Sequence, residues 1–173
     1  MKVMLVLLFG LAAVWAAPQE ISPRWVNNFN EPLFYRCPNQ QSIKEITSMR
    51  DSQRWDRLWD FVCERLFNSV PTCVWSNYVN NIGQGFTFYC PTGQVLSGMG
   101  NELDPWESDR RWKFLCCKGE FLVNRNCTLS DYANKFNDDL RWKASINHYL
   151  AGVYSITNTQ TEDRQWKYYS CEK

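Results

Sequence analysis

The segment DRRWKFLCC, residues 109–117, alternates its side chains along the chain, with Trp112, Phe114 and Cys116 on one side and Arg111, Lys113 and Leu115 on the other. A period of two residues is the pattern of a β-strand. The segments DRLWDFVC (56–63) and DRQWKYYSC (163–171) align with it without gaps, and their tryptophans lie 53 and 54 residues apart. The first copy alone also fits a helical spacing, but equivalent residues should share one structure. The sequence therefore predicts a strand in all three copies.

The repeat extends beyond this motif. FYRCP (34–38) matches FYCP (88–91), Trp25 and Trp75 open the first two copies, and Gly152 lies 54 residues after Gly98. Ala144 stands where the third copy should have a cysteine, so that copy lacks half a disulfide. Three copies of one unit indicate a symmetric architecture that closes a common core. We expect an all-β, disulfide-bonded domain of three pseudo-symmetric antiparallel units, with trefoil-like or prism-like closure.

The first residues predict secretion. Residues 1–16 have one charge, Lys2, before an apolar run that is shorter than the roughly 20 residues of a spanning helix and ends in small side chains. We interpret residues 1–16 as a signal peptide, 17–24 as an N-terminal tail and 25–173 as a single domain with repeats at roughly 25–72, 73–126 and 127–173. No later segment is a transmembrane candidate.

The charge and the cysteines narrow the function classes. The mature chain would have as many basic as acidic side chains, which argues against a nucleic-acid partner. Eight cysteines in a secreted chain predict four disulfides rather than a zinc site, and no metal or cofactor is expected. Within the first copy the only possible bridge is Cys37 with Cys63. Strict repeat equivalence would then join Cys90 to Cys116.

The triplicated Asp-Arg-x-Trp-x-(Phe/Tyr) motif, together with the Trp openers and the (Tyr/Phe)-x-Cys-Pro strands, resembles the dermatopontin family over almost the whole mature chain. It is also similar to the horseshoe-crab hemagglutinin/amebocyte aggregation factor. The resemblance implies the pairs Cys73–Cys116, Cys90–Cys117 and Cys127–Cys171, and we favour this pattern over strict repeat equivalence. Adjacent Cys116 and Cys117 should face opposite sides and serve different partners. The acidic, Tyr-rich tail of vertebrate members and one of their terminal bridges are absent here.

The resemblance implies a secreted, non-enzymatic protein of the extracellular matrix that binds matrix glycans, proteoglycans or collagen, or cell-surface glycans, and promotes adhesion. Two rival functions share the scaffold: a soluble agglutinating lectin of innate defence, and a secreted cytotoxin. No long amphipathic or apolar segment follows residue 16 to form a pore, which places the cytotoxin third. Homo-oligomers are compatible with each of these functions.

The repeated motif also supplies candidate ligand-binding residues. These are Asp56, Arg57, Trp59, Asp109, Arg110, Trp112, Asp163, Arg164 and Trp166. One interpretation is structural: the Asp closes a turn, and the Arg covers a buried Trp. The other is a set of three related sugar or sulfate sites, because Arg offers a planar fork to anions and Trp offers a stacking face to a pyranose.

Three further features bear on function. A second basic group, Arg110, Arg111 and Lys113 with Lys143 and Lys167 elsewhere, could assist in holding a sulfated chain, although a solvated rim is the commoner role of such charges. Asn126-Cys127-Thr128 is a formal glycosylation sequon whose middle residue is a disulfide cysteine. We predict no catalytic residues, since His148 is the only histidine and no nucleophile motif accompanies it.

Overall fold

The computed structural model describes residues 24–104, 106, 109–119 and 125–173, so the expected signal peptide at 1–16 lies outside the described part. Regular structure in the described residues consists of eleven β-strands, which confirms the all-β prediction. The strands are β1 (Leu33–Arg36), β2 (Gln41–Asp51), β3 (Asp56–Arg65), β4 (Thr72–Trp75), β5 (Phe86–Tyr89), β6 (Gln94–Asp104), β7 (Asp109–Lys118), β8 (Arg125–Leu129), β9 (Leu140–Lys143), β10 (His148–Asn158) and β11 (Asp163–Glu172). A helix long and apolar enough to cross a membrane is absent from these residues.

Each repeat contributes one short strand and one long hairpin. The short strands are β1, β5 and β9, and the hairpins are β2–β3, β6–β7 and β10–β11. The motif segments form the second strand of each hairpin, as the period of two predicts. The first strand of every hairpin has a register shift at the same place, which leaves Lys44, Ser97 and Ala151 as the extra residues of three equivalent bulges.

The repeats are joined by strand exchange. The short strand of the first repeat pairs with the hairpin of the second, since β1 lies antiparallel to β6. In the same way β5 pairs with β10, and β9 of the last repeat returns to pair with β2 of the first. The sheet orders are therefore β1-β6-β7-β4, β5-β10-β11-β8 and β3-β2-β9. Each sheet contains strands from two repeats. The three repeats therefore form a closed circle that is complete only when all three are folded.

Two of the sheets have an additional edge strand. β4 pairs with β7, and β8 pairs with β11, at equivalent positions of the second and third repeats. Disulfides fasten both strands: Cys73 is bonded to Cys117 and Cys127 to Cys171, with 44 residues between the partners in each case. In the described part of the first repeat, no such strand lies beside β3.

The remaining disulfides follow the repeat. Cys37–Cys63 and Cys90–Cys116 both join partners 26 residues apart. The favoured pairs Cys73–Cys116 and Cys90–Cys117 are therefore wrong, whereas Cys37–Cys63 and Cys127–Cys171 are confirmed. The physical reason is register: Cys73 lies directly opposite Cys117 across β4 and β7, with their Cα atoms 4.0 Å apart. Cys116 and Cys117 do face opposite sides, as expected, and they lie in two different clusters of the core.

The main core lies where the three hairpins meet. Its centre is formed by the motif tryptophans, whose relative exposures are 1% for Trp59, 2% for Trp112 and 0% for Trp166. Their ring centroids are 4.6–5.6 Å apart, and every pair meets edge to face. This geometry matches the electrostatic preference of aromatic rings. One residue from each repeat thus contributes to a shared central cluster.

Candidate functional site

The Asp and Arg side chains of the motif connect the repeats in a closed ring. Arg110 of the second repeat binds Asp56 of the first, with Nη2 2.8 Å from Oδ2. Arg164 binds Asp109 at 2.6 Å, and Arg57 closes the ring onto Asp163 at 2.7 Å. Each arginine donates from both Nε and Nη2 to its carboxylate, the fork geometry that makes such pairs strong.

The same side chains also hold the loops that precede the short strands. Oδ2 of Asp56, Asp109 and Asp163 accepts the backbone N–H of Asn30, Gly83 and Asn137, respectively. The three guanidinium groups donate to equivalent loop carbonyls, those of Glu31, Gln84 and Asp138. Because each carboxylate accepts from the neighbouring repeat and from its own loop, the ring fixes how the repeats sit together.

The structure brings all nine predicted residues together at one place instead of at three surface sites. The indole faces are covered by one another, so they offer no stacking surface to a pyranose in this conformation. Each guanidinium group turns toward the carboxylate of the preceding repeat, and that of the first repeat turns toward the third. The arrangement agrees with the structural interpretation in that the Asp holds a loop; the Arg, however, is paired with a carboxylate of another repeat and not with its own Trp.

A small cavity remains where the three repeats meet at this cluster. Its volume is about 40 Å³. It is lined by all nine motif residues and by Arg50, Trp55, Leu103 and Glu162. Because pockets that enclose a drug-sized ligand measure roughly 300–1,000 Å³, this cavity is too small for a sugar ring.

The outer surface has a second set of cationic and aromatic pairs, which the motif did not reveal. Asn27, Asn80 and Asn134 occupy equivalent positions, because each accepts the backbone N–H of its motif tryptophan through Oδ1. Two residues before each of them stand Trp25, Tyr78 and Tyr132. The structure thus aligns Trp25 with Tyr78 and not with Trp75, which corrects the alignment made from the sequence.

A cation lies over each of these three rings. Arg24 Cζ is 4.7 Å from the centroid of Trp25, Lys113 Nζ is 5.3 Å from Tyr78, and Lys167 Nζ is 4.4 Å from Tyr132. Lys113 and Lys167 directly follow their motif tryptophans and so point to the other side of the strand. We call the pairs Arg24–Trp25, Lys113–Tyr78 and Lys167–Tyr132 the cation–aromatic platforms. The triplets WVN (25–27), YVN (78–80) and YAN (132–134) were the sequence signal for them.

The platform of the second repeat is the most extensive. Phe34, which is 63% exposed, stacks on Trp75 with centroids 4.7 Å apart, and Lys113 lies over both rings. Arg111 lies over Tyr78 at 4.7 Å and forms an exposed ion pair with Glu102 at 3.6 Å. The basic residues Arg111 and Lys113 thus adjoin aromatic surface.

The first repeat has a groove beside its platform. The groove measures about 270 Å³ and is lined by Arg24, Glu45, Thr47, Arg141, Trp142 and Lys143. Lys143 pairs with Glu45 at 2.6 Å, and Arg24 pairs with Asp60 at 3.5 Å. Arg141 is exposed and has no ion pair among the described residues, so the groove keeps one uncompensated cation.

The face of the third repeat is rich in tyrosine. Tyr132 lies near Tyr154, and the rings of Tyr89 and Tyr169 are 4.2 Å apart. Burial, together with the hydrogen bond to Tyr169, raises the pKa of Tyr89 to about 12. The Tyr89 hydroxyl therefore stays neutral at physiological pH and serves as a hydrogen-bond donor and acceptor.

The other candidates are placed as follows. Asn126 is exposed in β8 and donates from Nδ2 to Glu172 at 2.8 Å, beside the Cys127–Cys171 disulfide. His148 Nδ1 lies 2.9 Å from the carbonyl oxygen of Ile146. Within the described ranges, no three His, Cys, Asp or Glu side chains are grouped as a metal site would require.

Comparison with known proteins gives a consistent result. The family model described as Dermatopontin matches residues 27–173. The chain is 35% identical over 152 residues to the hemagglutinin/amebocyte aggregation factor of Limulus polyphemus, covering 87% of this chain and 88% of that protein. It is 32% identical to dermatopontin of Biomphalaria glabrata, covering 86% and 99%. It is 28% identical to Millepora cytotoxin-1 of Millepora dichotoma, covering 84% and 65%. No solved structure matches the chain.

Proposed function

This chain belongs to the dermatopontin family, and we propose that it is a secreted, non-enzymatic adhesion protein that binds acidic glycans of the extracellular matrix through its outer faces. The observation that carries this proposal is the set of three cation–aromatic platforms. Each repeat has one, with its ring at an equivalent position; the cation is equivalent only in the second and third repeats, because Asp60 stands where Lys113 and Lys167 stand and Arg24 supplies the cation of the first. Partners would be matrix glycans, proteoglycans or cell-surface glycans, with collagen as a protein alternative.

The chemistry of the platforms suits an acidic saccharide. The apolar face of a pyranose can stack on Tyr78 or Trp75, while Lys113 and Arg111 are close enough to pair with a sulfate or carboxylate of the same chain. Lys113 is only partly exposed, so less of its charge is screened than on an open surface.

Repetition adds a further property. Three platforms on one rigid ring can engage neighbouring residues of a polymer, or several polymers at once. After the first contact the second is intramolecular, so avidity can exceed the affinity of one platform by about 10²–10⁴. Such multivalency is what adhesion between cells and matrix requires.

The test is binding of the oxidised mature protein to an array of sulfated, uronate-containing and neutral glycans, repeated at high salt. The proposal predicts binding to acidic chains that high salt weakens, because the cations are near the surface. The double variant Arg111→Gln/Lys113→Gln should lose most of the binding to acidic chains. The control Arg65→Gln/Lys118→Gln removes two exposed cations outside the platforms and should retain this binding. Equal binding by both variants, or no binding to acidic chains, would reject the proposal.

A second candidate is a soluble agglutinating lectin. It is favoured by the identity of 35% to a protein named for hemagglutination and amebocyte aggregation. Clumping of red cells that a free neutral sugar reverses, and that persists at high salt, would support it. The cytotoxin function rests on the resemblance to Millepora cytotoxin-1, and lysis without clumping in the same assay would support that function instead.

A further inference from the structure

The small cavity among the motif residues has one lining side chain that the threefold pattern does not require. Arg50 lies opposite Arg57 in the first hairpin. The equivalent positions, opposite Arg110 and Arg164, are Leu103 and Thr157. Arg50 is therefore an addition to one repeat, whereas the Asp–Arg ring occurs in all three.

Arg50 forms no ion pair among the described residues, although the carboxylates of Asp163, Asp56 and Glu162 are near enough to act on its charge. Its Nη2 donates to the carbonyl oxygen of Thr161 at 2.9 Å, while its Nε is buried and has no partner. Burial lowers the pKa of Arg50, an effect that the nearby Asp163 partly opposes. Taking an unpaired charge out of water is costly, so an anion at this place would stabilise the protein.

The other buried polar atoms without partners around the cavity are also donors. They are Nη1 of Arg57 and of Arg164 and the indole Nε1 of Trp112 and of Trp166. The three aspartates of the lining are each engaged by an arginine and by a backbone N–H. Glu162 is exposed, so its effect on the charge of Arg50 is weakened by solvent but not removed. The lining thus has N–H groups in excess of acceptors, and buried donors require acceptors.

We propose that this cavity binds a small oxyanion group, a carboxylate or a sulfate, with Arg50 as its charged anchor. A volume of about 40 Å³ exceeds the roughly 10–15 Å³ that one water needs, and it admits such a group but not the ring that bears it. The site is distinct from the platforms. It can be present whether or not the platforms bind glycans.

The test uses the oxidised mature protein and titrates sodium sulfate and sodium acetate against sodium chloride at constant ionic strength. Tryptophan fluorescence and the melting temperature report on binding, because four tryptophans line the cavity. We expect a saturable change, and Arg50→Gln should weaken it roughly tenfold or more, since hydrogen bonds to charged groups are the strong ones. Arg54→Gln is the matched control, because Arg54 lies on the same hairpin turn, is exposed and pairs with Asp51 outside the cavity.

Glucuronate and glucose distinguish the source of the anion. Tighter binding of glucuronate than of acetate, with none of glucose, would identify the acidic end group of a saccharide as the occupant, while equal binding of glucuronate and acetate would identify a free anion. Both results support the site if Arg50→Gln binds these anions more weakly and still has the near-ultraviolet circular dichroism of the folded wild-type protein. The absence of a saturable change with all anions, or an equal response from Arg50→Gln, would overturn the proposal.

Discussion

At the scale of single residues, the motif arginines act across repeat boundaries. Arg110 is 7% exposed, and its guanidinium donates to Asp56 of the first repeat, to the carbonyl oxygen of Glu31 and to Oδ1 of Asn101. Removing it leaves the Asp56 carboxylate buried without its charged partner. Loss of one member of a buried pair is costly even where the pair itself adds little net stability.

We therefore expect Arg110→Gln to lower the free energy of unfolding by about 3–5 kcal/mol, measured by urea denaturation. The neighbouring Arg111→Gln is the control, because Arg111 is exposed and its ion pair with Glu102 is solvated; a change within about 0.5 kcal/mol is expected. Similar losses for both variants would contradict the structural role of the ring.

Tyr168 shows where the third repeat departs from the other two. Phe61 and Phe114 follow their motif tryptophans by two residues as Tyr168 does, and all three side chains are buried. The Tyr168 hydroxyl is buried and has no hydrogen-bond partner among the residues that the structure describes. Replacing Tyr168 by Phe should raise the free energy of unfolding by about 1 kcal/mol or more, because an unsatisfied buried hydroxyl is removed. A loss of stability in Tyr168→Phe at neutral pH would show that the hydroxyl has a partner.

The same hydroxyl predicts a dependence on alkaline pH. Burial raises the pKa of Tyr168 above the ordinary value of 10.0, so the unfolded chain loses this proton first. The part of the folding stability that depends on a neutral Tyr168 is fully present below pH 10 and is lost as the pH rises above that value. Stability measured by urea denaturation should fall from pH 10 upward, and the fall should be smaller in Tyr168→Phe. Parallel pH profiles would rule out Tyr168 as a source of the effect.

At the scale of secondary-structure elements, the motif strands were predictable because the second copy has a period of two and the repeat extends it to the others; the burial of β3 alone, with Asp56 to Trp59 all buried, does not alternate. The sequence did not predict the strand exchange, since which hairpin a short strand such as β5 joins depends on contacts between repeats. The disulfide error has the same origin: Cys73 lies on β4, whose register against β7 is a tertiary property. The platforms were missed because Tyr78 and Lys113 are 35 residues apart in sequence and meet only in the sheet.

The pairing of Cys73 with Cys117 can be tested directly. In Cys73→Ala the free thiol should be at Cys117, located by alkylation without reduction and fragmentation of the peptide that contains both adjacent cysteines. The free energy of unfolding should fall by about 2–4 kcal/mol, since one disulfide cross-link is lost. Hydrogen exchange should accelerate in β4. Alkylation at Cys116 instead would restore the pairing that the family resemblance implied.

At the scale of the whole molecule, the closed arrangement of the three repeats assigns the motif residues to the core. A structural role and a ligand-binding role, which one sequence motif could have combined, thus fall to different residues. The Asp, Arg and Trp residues of the motif face inward and hold the three repeats together, with a single small cavity among them. In β7 and β11 the residue that directly follows the motif tryptophan, Lys113 or Lys167, faces outward over an aromatic ring. The pattern thus serves the core in all three repeats, and on the outer side it places a lysine over an aromatic ring in the second and third repeats, whereas the first has Asp60 at that position and takes its cation from Arg24.

The most direct test of this division is retention on immobilised heparin. We expect Arg24→Gln/Lys113→Gln/Lys167→Gln to elute at much lower salt than the wild-type protein, because all three platforms lose their cation. The control Arg65→Gln/Lys118→Gln/Lys135→Gln removes the same charge from exposed sites elsewhere and should elute close to wild type. If both triple variants elute at the same salt concentration, retention depends on net charge alone, and the platforms are not the binding surface.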